Sequence, residues 1–181
     1  MSIWSVIGSR HLPASWASQV DSVVALLLAR GHRICSGGAV GTDLYCLRSL
    51  VRRGSVACQG SSVFVPGGLS LVPSACASWL DRFVSLGGEV VEGSASSSRP
   101  DYVAALLIRN CSIVRASAGV VAFVSGSSAG SWFTVHQAVR RGLPVVAFPV
   151  DGPALLRRFA GGRWVPCRSL AGAYQFHYFK D

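Results

Sequence analysis

Acidic side chains are scarce in this chain: eight among 181 residues, against seventeen lysines and arginines. They are scattered, and no two are placed as an obvious pair for acid–base work. No nucleophile–base–orienter set can be assembled from them, which points away from an enzyme and toward a binding protein. Cysteine occurs six times, at Cys35, Cys46, Cys58, Cys76, Cys111 and Cys167, but never as C-x-x-C and never with histidine at zinc spacing. That removes the usual sequence signs of a zinc centre or a dithiol redox motif. No motif calls for a metal or a cofactor. No apolar run reaches bilayer-spanning length, and no signal peptide is read ahead of Ser2-Ile3-Trp4. With no repeat and no linker, one domain is expected over residues 1–181.

What is abundant is apolar. Half of the residues are hydrophobic and only 14% are charged, so a large core can be buried. Twenty glycines and eight prolines are spread along the chain, as many short loops require. Most cysteines sit inside apolar patterns, where a free thiol behaves as a small hydrophobe. The expectation is reduced thiols in a cytoplasmic protein. The net charge is +9 and the sequence pI about 10.0. Arginine supplies most of that charge and suits phosphate by its forked geometry, so an acidic partner is expected, either a nucleic acid or a nucleotide.

Read in order, the chain alternates strands and helices. Strands are expected at 3–7, 31–35, 61–66, 89–92, 119–124 and 145–148, with strand-like pieces of unassigned place at 163–165 and 175–179. Helices are expected at 15–30, 44–53, 73–85, 101–115 and 132–141, and a last short one at 151–159. Residues 93–100 read as a Ser-rich loop carrying Arg99. Such alternation predicts an α/β fold, a Rossmann-like three-layer sandwich with a mainly parallel sheet of about six or seven strands. Ligands of such sheets bind beyond the carboxyl ends of the strands.

Three small-residue turns fall at such ends. The central one is Ser36-Gly37-Gly38-Ala39-Val40-Gly41-Thr42-Asp43, a glycine turn opening a helix. Helix N-termini carry unpaired N–H groups and the positive end of the dipole, so the loop reads as a phosphate cradle in which Ser36, Gly37, Gly38 and Gly41 offer backbone donors. The others are Gly8-Ser9-Arg10 and the run 125–131, in which Gly126, Ser127, Ser128, Gly130 and Ser131 form a second anion nest. Arg10 can clamp a phosphate or pair with a surface carboxylate. Asp43 can cap its helix, bond a ribose hydroxyl or act as a base, and it is the single catalytic candidate. Arg109 can reach a phosphate and Asn110 a base edge, or both can serve a buried structural bond. Arg48, Arg52 and Arg53 form one basic helix face, and Arg140 with Arg141 another, to track a nucleic-acid backbone or simply to be solvated. Trp16, Trp79 and Trp132 are potential base-stacking platforms, with Trp79 read as core and Trp132 as the one to test. His136 reads as a surface or packing residue.

These residues resemble the SLOG superfamily, and within it the Rossmann-like domain of the DNA-processing DprA (Smf) family, with some similarity to small YspA-like members. Four pieces appear in the family order over about residues 3–150. They are Val6-Ile7-Gly8-Ser9-Arg10, the Ser-Gly-x-Ala-x-Gly-x-Asp pattern at 36–43 including Thr42, Arg109-Asn110 ahead of a late strand, and the turn, helix and closing strand from Ser125 to Pro149. Residues 151–181 are then a C-terminal extension. The resemblance implies binding of single-stranded DNA in a basic pocket, a homodimer, and a recombinase partner. Other SLOG members imply an alternative: a nucleotide-binding sensor or a nucleotide N-glycosidase-type hydrolase. The chain lacks the Pro-Gly-Gly-x-Gly-Thr-x-x-Glu pattern of the LOG branch before its late helix.

Overall fold

The computed structural model describes residues 2–95 and 99–179. Six strands run parallel: β1 (Ile3–Gly8), β2 (Arg33–Gly37), β3 (Ser62–Gly67), β4 (Glu89–Ala95), β5 (Gly119–Val124) and β6 (Val145–Pro149). A hairpin of β7 (Gly162–Pro166) and β8 (Tyr174–Tyr178) joins them antiparallel, giving an eight-stranded sheet of order β4-β3-β2-β1-β5-β6-β8-β7. The helices are α1 (Ala17–Ala29), α2 (Thr42–Arg52), α3 (Ser55–Cys58), α4 (Ser74–Ser85), α5 (Arg99–Ala116) and α6 (Ala129–Arg140).

Alternation along the strands divides the core into two layers. Val6, Val121 and Phe123 pack toward α1, α2 and α4 with Val20, Leu47, Leu50, Leu80 and Phe83. Their neighbours Ile7, Val120, Ala122 and Val124 pack toward α5 and α6 with Ile113, Val114, Trp132 and Val135. Every residue of β5 and β6 is buried, as expected of parallel strands covered on both faces. Phe123 stacks on Phe148 at 4.6 Å, and Trp16 meets both rings edge-on at 6.1 and 6.3 Å.

The chain fills the sheet outward from β1 through β2, β3 and β4, then crosses back to place β5 on the other side of β1. The carboxyl ends of β1 and β5 are therefore the switch point of the topology, where successive connections leave toward opposite faces and open a crevice.

The structure corrects several expectations. The sheet has eight strands, because the 163–165 and 175–179 pieces pair with each other and continue the β6 edge. β2 does not end at Cys35: Ser36 and Gly37 stay in the ladder opposite Val63 and Phe64. α6 starts at Ala129, not 132, so Gly130 and Ser131 belong to its first turn. The short helix expected over 151–159 reduces to a single turn at Pro153–Leu155, and α3 is an addition. In the Ser-rich stretch β4 continues to Ala95 and α5 begins at Arg99, while residues 96–98 lie outside the described residues.

Candidate functional site

The end of β1 is stitched to the start of α2. Ser9 N–H donates to the Phe123 carbonyl at 2.8 Å, and the Ser9 carbonyl accepts from both Thr42 N–H (3.1 Å) and Thr42 Oγ (3.2 Å). Gly41 makes this closure possible. Its φ is +77°, and a Cβ there would press on the backbone of Ser9 and Arg10.

Beneath this closure Asp43, in the first turn of α2, faces Arg109 from α5. Arg109 Nη1 lies 3.4 Å from Asp43 Oδ2, and the side chains are only 8% and 7% exposed. Asp43 also accepts from Ala39 N–H at 3.4 Å, and Ser36 Oγ lies 3.5 Å from its Oδ1. Burial lifts the Asp43 carboxyl above its ordinary pKa; the charge of Arg109 and the Ala39 N–H oppose that lift without cancelling it. Gly37 lies against the pair: a Cβ at that position would overlap both the Arg109 guanidinium and Asp43 Oδ2.

The central loop is therefore not a free anion cradle. Gly38 N–H is given to the Phe64 carbonyl at 3.1 Å, Ala39 N–H to Asp43, and Thr42 N–H to Ser9. Ser36 is fully buried and donates to the Val6 carbonyl at 2.7 Å. Ser36, Gly37, Gly38 and Thr42 are buried and lie, with half-buried Gly41, under the site without lining its cavity, since the polar groups of a buried turn need partners within the protein.

Above the floor is a cavity of about 400 Å³. One side carries Gly8, Ser9 and Arg10; the floor carries Asp43 and Arg109; the opposite side carries Asn110 with Ser127, Ser128, Gly130 and Ser131. Gly130 and Ser131 present first-turn N–H groups of α6, which a helix leaves without partners of its own. Asn110 Nδ2 reaches the Gly130 carbonyl at 3.4 Å, tying α5 to that turn. Ser125 Oγ gathers the hydroxyls of Ser128 at 2.6 Å and Ser9 at 3.3 Å between the two loops. The Arg109 Nε is buried and has no hydrogen-bond partner among the described residues.

Val103, Leu106 and Leu107 of α5 complete the wall. These apolar residues are not core: Val103 is 51% and Leu107 41% exposed. Their helical spacing was visible; that they would border a cavity was not. His11 and Thr134, which also line it, carried no sequence signal.

Other singled-out residues lie apart. Trp132 is 1% exposed and its indole N–H donates to the Ser125 carbonyl at 3.0 Å, so it offers no face to a base. It is held in the core by the β5–α6 turn it braces. The three arginines of α2 do not form one face. Arg48 lies over the Trp79 ring of α4 at 5.3 Å, Arg53 pairs with Asp21 of α1 at 2.6 Å, and exposed Arg52 stands in the last turn, away from the cavity end of the helix. Gly126 is at the outer lip, its N–H bonded to Asp151 Oδ2 at 3.0 Å. His136 is exposed and stacks on Phe159 at 5.4 Å.

All six cysteines are free, and burial pushes the Cys35 and Cys76 thiols up to about 11. Among the described residues no helix is long and apolar enough to cross a membrane.

A family model described as DNA recombination-mediator protein A matches residues 1–165. No curated protein matches the chain. Among solved structures, DNA processing protein A from Helicobacter pylori, described for its single-stranded DNA binding mode, superposes with a TM-score of 0.62 at 18% identity. That match covers 80% of this chain and 63% of the other. DNA processing protein A (DprA) from Streptococcus pneumoniae superposes with a TM-score of 0.60 at 21% identity, covering 81% of this chain and 50% of that one. At such identities the likeness establishes the shared fold, and the chain spans less than two thirds of either relative.

Proposed function

The chain belongs to the DNA recombination-mediator protein A family, and from that premise we propose that it binds single-stranded DNA in the cavity at the carboxyl ends of β1 and β5. The observation that carries this reading is the Arg109 guanidinium: buried at the cavity floor, 3.4 Å from the Asp43 carboxylate, with no acceptor for its Nε among the described residues. A buried guanidinium with a single long contact to a carboxylate is incompletely compensated, and its charge favours an anion bound in the cavity it lines. The first-turn N–H groups of α6 and the exposed guanidinium of Arg10 face the same space and favour the same charge. Val103 and Leu107 supply an apolar surface for a base beside the phosphate site. The description of the Helicobacter pylori relative as a single-stranded DNA binder supports the choice of polymer.

The test is a titration of a labelled single-stranded oligonucleotide at several salt concentrations, with wild type and Arg10→Ala. A binding constant that falls steeply with salt, less steeply in the variant, is expected. Binding that is absent or independent of salt sinks the reading.

A second reading is favoured by the cavity itself, whose volume of about 400 Å³ is in the range of small-molecule sites. In it the ligand is a small nucleotide, and a nucleotide panel followed by thermal shift tests this. Release of free base, lost in Asp43→Asn, would make the protein an N-glycosidase-type hydrolase. The homodimer and the recombinase partner are proposals on family grounds, checked by size measurement in solution and by direct binding to the recombinase. A cytoplasmic location agrees with the six free cysteines.

A further inference from the structure

The positive charge of the protein is concentrated late in the chain. Between residues 102 and 180 there are eight arginines and Lys180 against a single acid, Asp151. These residues include α6 and the C-terminal extension, which the fold lays side by side. Leu155 of the extension packs toward Gly126, its Cδ1 3.2 Å from where a Cβ would stand. Arg157 lies over the Trp132 ring, 5.5 Å from its centroid, and Phe159 stacks on His136 at 5.4 Å with planes 9° apart. The Arg157 carbonyl accepts the Trp164 indole N–H at 2.8 Å, fixing the segment to the hairpin. Trp132, His136 and Arg140 are four residues apart, so they share one side of α6.

The result is a basic strip that begins at the cavity lip. Arg157, Arg158 and Arg140 are exposed, and none has a described carboxylate within ion-pairing distance. Asp151 stands at the lip, its carboxylate accepting the Gly126 N–H. α6 spans twelve residues, about 18 Å at the helical rise.

We propose that the side of α6 covered by the C-terminal extension is a second, outer binding surface for single-stranded nucleic acid, on which Arg157, Arg158 and Arg140 hold the phosphates of the strand leaving the cavity over Gly126 and Ser127. The proposal rests on the cavity being the nucleic-acid site and adds the direction in which the strand runs. It separates two roles: the cavity holds one end or one nucleotide, and the strip supplies affinity that grows with length.

The test compares labelled thymidine oligonucleotides of about 4 and about 20 nucleotides on wild type, on Arg157→Ala with Arg158→Ala, and on Arg10→Ala. The first double variant should bind the short oligonucleotide like wild type. On the long one its salt slope should fall by about 1.4, which is about 0.7 for each single-strand phosphate that an arginine no longer neutralises. Because Arg157 packs on Trp132, Arg140→Ala with Arg158→Ala serves as a second variant that leaves that packing intact, and melting curves accompany both. Wild-type behaviour of both double variants at both lengths, with Arg10→Ala still impaired, overturns the strip and leaves the cavity reading standing. Equal weakening at both lengths also overturns it, since the arginines would then serve the cavity. Failure of wild type to bind either oligonucleotide removes the cavity reading and the strip together.

Discussion

Arg109 and Asp43, 66 residues apart in the chain, meet across the sheet end from two helices, 3.4 Å between Nη1 and Oδ2, with Gly37 pressed against both. Both charges are buried, so each depends on the other.

Removing the cation alone should be expensive. Arg109→Met is expected to lower unfolding stability by on the order of 3 kcal/mol, the scale of an uncompensated buried charge. Adding Asp43→Asn should recover most of the loss. Urea unfolding of the two single variants and the double measures the coupling; additive losses would show that the pair is not one unit.

Gly37→Ala should be harmful for the same geometric reason. The new methyl must displace a guanidinium and a carboxylate, and overpacking of this kind costs about 1–3 kcal/mol. Gly31, with φ of +78° and open space around it, is the control. Its replacement by alanine carries conformational strain alone, and it should leave oligonucleotide binding unchanged while Gly37→Ala weakens it.

Burial holds the Asp43 carboxyl above its ordinary pKa, so the folded chain keeps that proton to a higher pH than the unfolded chain does. Stability linked to this group is present below its ordinary pKa and is lost as pH rises through the raised folded value. Asp21 acts with the opposite sign. Its hydrogen bond to Arg53 lowers it from 3.8 to about 2, so its contribution is present above 3.8 and is lost as pH falls toward about 2. That pair is partly exposed, which limits it to at most about 1 kcal/mol. Urea midpoints across acid to neutral pH should show both trends; Asp43→Asn should abolish the upper one and Asp21→Asn the lower.

Trp132→Phe separates a structural role from a stacking one. The residue is buried and its N–H is committed to Ser125, so the expected effect is a loss of about 1–3 kcal/mol in stability, from lost volume and the lost indole hydrogen bond. Unchanged stability with a clear loss of oligonucleotide affinity would place the ring at a base instead.

Arg10→Ala should do the reverse. The side chain is exposed at the first turn, so stability should change by no more than about 0.5 kcal/mol. The salt slope of oligonucleotide binding should fall by about 0.7.

Much of the scaffold was readable from residue order. The apolar runs at Val63-Phe64-Val65 and at 119–124 are too continuous for half-exposed strands. Stripes such as Val20, Val23, Val24 and Leu27 have helical spacing and became the buried face of α1. Boundaries were less legible where a pairing partner decides them. Ser36 and Gly37 look like a turn, yet Val63 and Phe64 hold them in the sheet. The C-terminal hairpin was unplaced because its strands have no helix between them and gain their position from the open edge of β6.

Local spacing by itself determined that strands and helices alternate and that three small-residue turns follow strands, since periodicity and turn chemistry act within a few residues. Only the tertiary structure decided what those turns do. The central loop commits its Gly38, Ala39 and Thr42 amides within the protein, the α5 stripe becomes a cavity wall, and the arginines of α2 part toward Trp79, Asp21 and solvent. A donor's availability and a side chain's exposure depend on which distant segment arrives beside it, and that is settled by packing across the sheet rather than by the order of residues.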